Sequence, residues 1–344
     1  MNTRMRTIMN SKISILIISL VIALSATSAM VCASVQFTDT AGDSISLPAV
    51  AQRVICLNSD CAESMIVLGA GDNVVGIAES VIARSDLMPH LPNAVSVGKW
   101  DTPSIEQILE LKPDIVISYS TSKPKNADQL QSAGIPRVYL DFYKIDTIEQ
   151  DIAALSTIIG KESAAEQYLK LFTGYKTGVE TAVAENGQDA VPTVYIEGYS
   201  DYTAQGKNSG SDQIVTLSKG KNIADSLSEQ YPKVTPEWIV NADPDVILKV
   251  VSIKSDKTLE DSYNQIIGRT GFDTLSAVKE NRVYVLNTAL LYGPRSPAGL
   301  IAVAKMLHPD TFKDMHPEDF LKEYAGKYVL GADQVEIYAP ISQT

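Results

Sequence analysis

From Arg53 onward the chain alternates short apolar runs with amphipathic stretches. "RVICL" (53–57) predicts a buried strand, and "CAESMIVLGAG" predicts a helix closed by Gly69 or Gly71. "NVVGI" (73–77) reads as the next strand. "SIEQILEL" reads as a helix opened by Ser104, with Glu106 in the first turn, where the helix dipole favours a carboxylate. Lys112-Pro113 ends it, because proline disfavours helix in the residue before it. "DIVISY" (114–119) is a strand, "NADQLQSAG" a helix ending at Gly134, and "RVYL" (137–140) a strand. Strand-helix alternation of this kind builds a parallel sheet covered on both faces.

The rhythm then changes. From Thr147 to about Glu185 there is no strand signal, and apolar residues recur three and four apart. This predicts a long helix with at most one break, at Gly160 or Gly174. Alternation resumes after Pro192 with "TVYIEG" (193–198), a helix near 211–219, a helix around Glu237, "DVILKV" (245–250) and "RVYVLN" (282–287). From Pro297 the pattern is helical. One sentence is nearly written twice: "SIEQILELKPDIVI" (104–117) and "TPEWIVNADPDVIL" (235–248) stay in step at a constant offset. Ser104 matches Thr235, Glu106 matches Glu237, and Asp114 matches Asp245. The predicted fold is therefore α/β, with two strand-helix lobes joined by a single long helix and a ligand cleft between them. The lobes span 34–146 and 187–344, and the linking helix 147–186.

Length agrees, since 344 residues predict two domains. A net charge of −12 without a long basic run argues against nucleic acid or anionic lipid as partner. Residues 1–33 read as a secretory signal: Arg4, Arg6 and Lys12, an apolar run from Ile13 to Leu24, then small residues. Val31-Cys32-Ala33 fits cleavage after Ala33; a lipid-modified Cys32 and an uncleaved anchor are the alternatives. Each places the remainder outside the cytoplasmic membrane, periplasmic or at the cell surface. There a disulfide between Cys56 and Cys61 is permitted, although their spacing also suits two buried thiols; both are expected to be structural.

The ordered set "QRVICLNSDCAESMIVLGAGDNVVGIAES", "VGKWDTPSIEQILELKPDIVISY", "AGIPRVYLD", long helix, "PTVYIEG", "TPEWIVNADPDVILK" and "VKENRVYVLN" resembles the substrate-binding proteins of ABC importers for ferric siderophores, haem and cobalamin. The resemblance covers essentially the whole mature chain. It implies a bilobal fold with a rigid inter-domain helix, a metal chelate as ligand, and docking onto a permease dimer with its ATPase subunits. It also implies that one surface glutamate per lobe meets arginine pockets on the permease, and the matching positions are Glu106 and Glu237. Helix initiation alone is the simpler role for both.

Ligands of α/β sheets gather beyond the carboxyl ends of the strands. That rule nominates Asn58 with its neighbours Ser59 and Asp60, then Lys99, Trp100, Tyr143, Tyr199, Tyr202, Tyr292 and Arg295. Aromatics with one or two cations suit a flat chelate, and Arg295 is expected to pair with a carboxylate or catecholate oxygen. Core or rim packing is the ordinary alternative for each. "LGAGDNVVG" fails as a dinucleotide loop because its glycines follow a helix and precede a strand. No nucleophile-base pair stands out, so no enzyme activity, cofactor or bound metal of the protein's own is expected. A zinc site at Cys56 and Cys61 would need more ligands nearby, and His90, His308 and His316 lie far from them in sequence. The alternatives are a bare metal-ion carrier, which would need three or four converging ligands, or a sensor domain that never docks. A monomer is expected.

Overall fold

The computed structural model describes residues 34–185, 190–252 and 258–339. The signal segment 1–33, with Cys32, and the last residue of the expected linking segment lie outside the described residues. An antiparallel hairpin, β1 (Val35–Thr38) with β2 (Ser44–Leu47), precedes the first sheet. That sheet holds β3 (Val54–Cys56), β4 (Val74–Ile77), β5 (Val95–Ser96), β6 (Ile115–Ser118) and β7 (Arg137–Tyr139). They lie in the order β5-β4-β3-β6-β7, all parallel. The second sheet holds β8 (Thr193–Glu197), β9 (Lys221–Asn222), β10 (Val246–Val251), β11 (Val283–Asn287) and β12 (Tyr338–Ala339). Its order is β12-β11-β10-β8-β9, with only β12 antiparallel. β3, β4 and β6 are buried at every position, as continuous apolar strands of a doubly covered sheet must be.

The helices of six residues or more are α1 (Ser59–Val67), α2 (Ile105–Leu111), α3 (Ala127–Ser132), α4 (Ile148–Ile159), α5 (Glu162–Glu185), α6 (Gly210–Leu217), α7 (Pro236–Ala242), α8 (Leu259–Ile267), α9 (Ser296–Leu307) and α10 (Pro317–Lys327). The linking segment is two helices, not one. Gly160 sits at φ 66°, a left-handed conformation that closes α4, and α5 starts two residues later. Gly174 stays inside α5, whose 24 residues run about 36 Å. Its buried face is Ala165, Tyr168, Leu171, Phe172 and Val179. α9 is buried at every position but Lys305 and packs on α5 and α6. One hydrophobic core therefore runs from β3 and α1 through α4 and α5 to β8, β10 and α9. A shared core gives the joint between the lobes the stiffness of a packed interior.

The written repeat is a structural repeat. Ser104 and Thr235 cap α2 and α7 through the N–H groups of Gln107 and Trp238. Ile108 and Ile239 anchor the two helices with no exposed surface. Each helix ends on a non-glycine residue in the left-handed region, Lys112 at φ 47° and Asp243 at φ 39°. Each Pro-Asp then does the same work. Asp114 Oδ2 accepts the N–H groups of Gln52 (2.7 Å) and Arg53 (2.9 Å) just ahead of β3. Asp245 Oδ2 accepts the N–H and hydroxyl of Thr193, both at 2.7 Å, at the start of β8. Both carboxylates satisfy backbone donors where a central strand begins, which fixes the strand pair in each lobe.

Candidate functional site

The strand order reverses between β3 and β6 in the first lobe and between β8 and β10 in the second. Crevices open at such switch points, beyond the carboxyl ends of the strands. Asn58 follows β3 as the cap of α1, Ser59 and Asp60 form the first turn of that helix, and Tyr119 follows β6. Tyr119 donates to Asp60 Oδ2 at 2.8 Å and meets Tyr143 edge-on at 5.5 Å between ring centres. Tyr143 in turn meets Tyr292, from the segment after β11, edge-on at 6.4 Å. The hydroxyls of Tyr292 and Ser211 lie 2.9 Å apart. Gly210 makes this contact possible. A Cβ there would stand 2.6 Å from the Tyr143 carbonyl oxygen and 2.8 Å from the Tyr292 ring. Gly293 likewise faces Asp60, where a Cβ would come within 3.2 Å of Oδ1. The two lobes thus meet over a row of phenols, with the buried carboxylates of Asp60 and Asp141 beside it.

Tyr199 stands at the tip of a turn and is 61% exposed. The turn is rigid below it. Glu197 is fully buried and receives Lys249 Nζ at 2.7 Å and both terminal nitrogens of Arg269. Its Oε2 also accepts the Tyr202 N–H at 2.9 Å, while the Arg269 guanidinium lies over the Tyr202 ring at 4.5 Å. Tyr202 therefore braces the turn that presents Tyr199, and its ring packs on the second-lobe core. Tyr143 is presented from a comparably tense turn, because Phe142 before it is buried at φ 51° and donates its N–H to Asp151. Tyr231, exposed on one side, lies near this row: partial burial first, and then the Tyr143 and Tyr292 phenols, raise its own phenol above the ordinary value.

The nominated residues divide. Tyr143, Tyr199 and Tyr292 lie at the meeting of the lobes. Asn58 is buried beside them and caps α1, its Oδ1 accepting the Cys61 N–H at 2.8 Å. Lys99 and Trp100 are exposed after β5, and no hydrogen bond, ion pair or ring contact joins them to the tyrosines among the described residues. Arg295 does not face the cleft: it has no exposed surface, its Nε donates to Glu63 Oε1 at 2.5 Å, and its Nη2 pairs with Asp86. Arg84 joins both carboxylates, and Tyr324 donates to Glu63 Oε1 at 2.7 Å. The expected pairing with a ligand oxygen is corrected to a buried inter-lobe ion network, into which α1 places Glu63. Asp60, named with Asn58 at the end of β3, is at the site, and Tyr119 and Tyr231 join it without having been singled out. Tyr119 stands at the end of "DIVISY", so the strand-end rule points to it; Tyr231 sits in irregular chain that no periodicity marks.

Burial pushes the Asp60 carboxyl up to about 6, against the Tyr119 hydrogen bond. Burial also raises the phenol of Tyr292. Every arginine among the described residues is already engaged. Arg53 holds the carbonyls of Leu111 and Lys112, Arg137 holds Gln131 and Asp128, and Arg282 holds the carbonyls of Met306 and Leu307. Arg84 and Arg295 share Glu63 and Asp86, while Arg269 serves Glu197 and Asp201. Lys144, 5.4 Å from the Tyr143 ring centre, is the cation recorded over this aromatic group. Among the described residues no three His, Cys, Asp or Glu side chains converge as a metal site. Cys56 and Cys61 form a disulfide with Cα atoms 5.6 Å apart, bracketing Asn58–Asp60. Glu106 and Glu237 are exposed in the first turns of the equivalent helices α2 and α7. No helix among the described residues is long and apolar enough to cross a membrane.

A family model described as periplasmic binding protein matches residues 54–290. An uncharacterized ABC transporter substrate-binding lipoprotein of Bacillus subtilis, YvrC, is 27% identical over 290 residues, covering 81% of this chain and 87% of that protein. A cobalamin-binding protein of Halobacterium salinarum is 29% identical over 222 residues, covering 62% of this chain and 58% of that protein. Among solved structures, the molybdate periplasmic binding protein MolA of Haemophilus influenzae superposes with a TM-score of 0.73 at 19% identity, covering 85% of this chain and 97% of that one.

Proposed function

Because the chain belongs to the periplasmic binding protein family, we propose that it is the extracytoplasmic solute-binding subunit of an ABC importer and that its cargo is a metal chelate of the corrinoid type. The observation that carries the choice of cargo is the charge of the cleft. Tyr119, Tyr143, Tyr199 and Tyr292 gather about two buried carboxylates, Asp60 and Asp141, every described arginine is engaged elsewhere, and a single lysine, Lys144, lies over the Tyr143 ring. Ferric catecholates carry several negative charges and haem carries two propionates, and each needs fixed cations in its site. A corrinoid is a large flat chelate with a rim of uncharged amides, which suits phenols and aromatic edges. The cobalamin-binding relative agrees with this reading. The cleft binds rather than transforms its cargo, and the metal arrives inside the chelate.

Glu106 and Glu237 form the docking pair. They are equivalent carboxylates on equivalent helices, one per lobe, as a two-fold permease requires. The buried core and ion network between the lobes keep their spacing nearly constant with or without cargo. Native mass spectrometry with absorption spectroscopy tests the cargo on residues 34–344, using cobalamin, haem and a ferric tricatecholate. One tight 1:1 complex with cobalamin is expected. Retention of haem or the ferric chelate without the corrinoid overturns the assignment.

A further inference from the structure

Two polar groups at the start of α1, its cap Asn58 and the first-turn Asp60, are left over by the fold. Asn58 uses Oδ1 to cap α1 and leaves Nδ2 buried without a hydrogen-bond partner. Orphan buried donors are rare and call for a reason. Asp60, two residues on, is 7% exposed and takes part in no ion pair among the described residues. Its hydrogen bonds come from the hydroxyls of Tyr119 and Ser59. Gly293, from the other lobe, packs its bare backbone directly on Asp60, where a Cβ would come within 3.2 Å of Oδ1, so no side chain covers the carboxylate from that side. This helix start is held by the Cys56–Cys61 disulfide, which ties α1 to β3, and by the burial of α1 along nearly its whole length. A fixed donor and a fixed acceptor thus sit at one preorganised helix start at the switch point.

We propose that Asn58 Nδ2 and the Asp60 carboxylate form a subsite that reads a primary carboxamide on the rim of the cargo and rejects a carboxylate there. The assignment rests on the metal-chelate reading and deepens it. A carboxamide offers an N–H pair and a carbonyl oxygen; the first suits Asp60, which when ionised only accepts, and the second suits the free Asn58 donor. A carboxylate has no proton to give Asp60 and meets it as a like charge. The discrimination is therefore built partly from repulsion. The group is reached when the Tyr143 and Tyr292 side chains, which touch edge-on, swing apart while the lobes keep their spacing.

The test is a pair of titrations with a corrinoid whose rim is fully amidated and the same corrinoid hydrolysed to its carboxylate form. The wild type is expected to prefer the amide form by at least about tenfold. Asp60→Asn removes only the charge, so affinity for the carboxylate form should rise and the preference should collapse toward unity. Asn58→Asp keeps the cap on α1 but deletes the donor, and should weaken the amide form about tenfold. A wild-type preference that neither variant moves, or a wild type that favours the carboxylate form, overturns this subsite while leaving the corrinoid cargo intact. Failure of the wild type to bind either form overturns the cargo and the subsite together.

Discussion

Arg295→Met separates a structural arginine from a ligand-binding one. Glu63 is 2% exposed in its side chain and Arg295 0%, so their pair lies wholly out of water. Breaking a buried pair by removing one partner costs about 3–5 kcal/mol, because the other charge stays behind uncompensated. Here Arg84 Nη2 remains 3.0 Å from Glu63, and Tyr324 still donates to it. The loss should therefore fall at the lower end, about 3 kcal/mol. Equilibrium urea unfolding at neutral pH, followed by circular dichroism, measures it. Glu63→Gln in the same background should recover part of the loss, since the stranded charge is gone. A loss under about 1 kcal/mol would refute the buried-network account, that being the range of an exposed pair. So would a large fall in cobalamin affinity at unchanged stability, which would place the guanidinium in the cleft.

Three further outcomes are expected. Asp151 is buried and accepts from Thr40 and from the Phe142 N–H, and burial lifts its carboxyl from 3.8 to about 6. A raised native value means that its contribution is fully present below 3.8 and is lost as pH rises through about 6. Relative to Asp151→Asn, the wild type should therefore lose roughly 3 kcal/mol between pH 3 and pH 7.5, and parallel stability curves for the two proteins would contradict this. Charge reversal at both Glu106 and Glu237 should abolish uptake in vesicles carrying the cognate importer while cobalamin affinity stays within about twofold; undiminished uptake would remove the docking role. Asp114→Ala and Asp245→Ala should each cost about 1–3 kcal/mol in chemical denaturation, since both orphan backbone donors at a strand start; a cost confined to one lobe would end the functional equivalence of the repeat.

Periodicity made the architecture legible. Apolar runs marked the parallel strands, and Ser104 and Thr235 announced their helices because a cap is a local device, written within four residues. Gly160 marked its break for the same reason. The Pro-Asp repeat was visible as a pattern, while its work of tethering β3 and β8 depends on partners 62 and 52 residues away. Arg295 was misplaced because its partners lie still further off, 232 residues to Glu63 and 209 to Asp86, with nothing nearby to identify them. Tyr202 sits where the strand-end rule points, yet a turn at φ 59° sends its ring back over Arg269. Loop geometry decides which side of a strand end a tyrosine serves, and hydrophobic patterning does not encode it.

Cargo is expected to sit in the cleft between the lobes. Hydrogen–deuterium exchange of the protein with and without saturating cobalamin tests that most directly. Protection is expected in the segments 57–60, 119–121, 141–143, 198–206 and 288–293, which converge from both lobes. Protection confined instead to the groove between α5 and α10, lined by Gln167, Lys170, Tyr175, Glu323 and Lys327, would contradict the account.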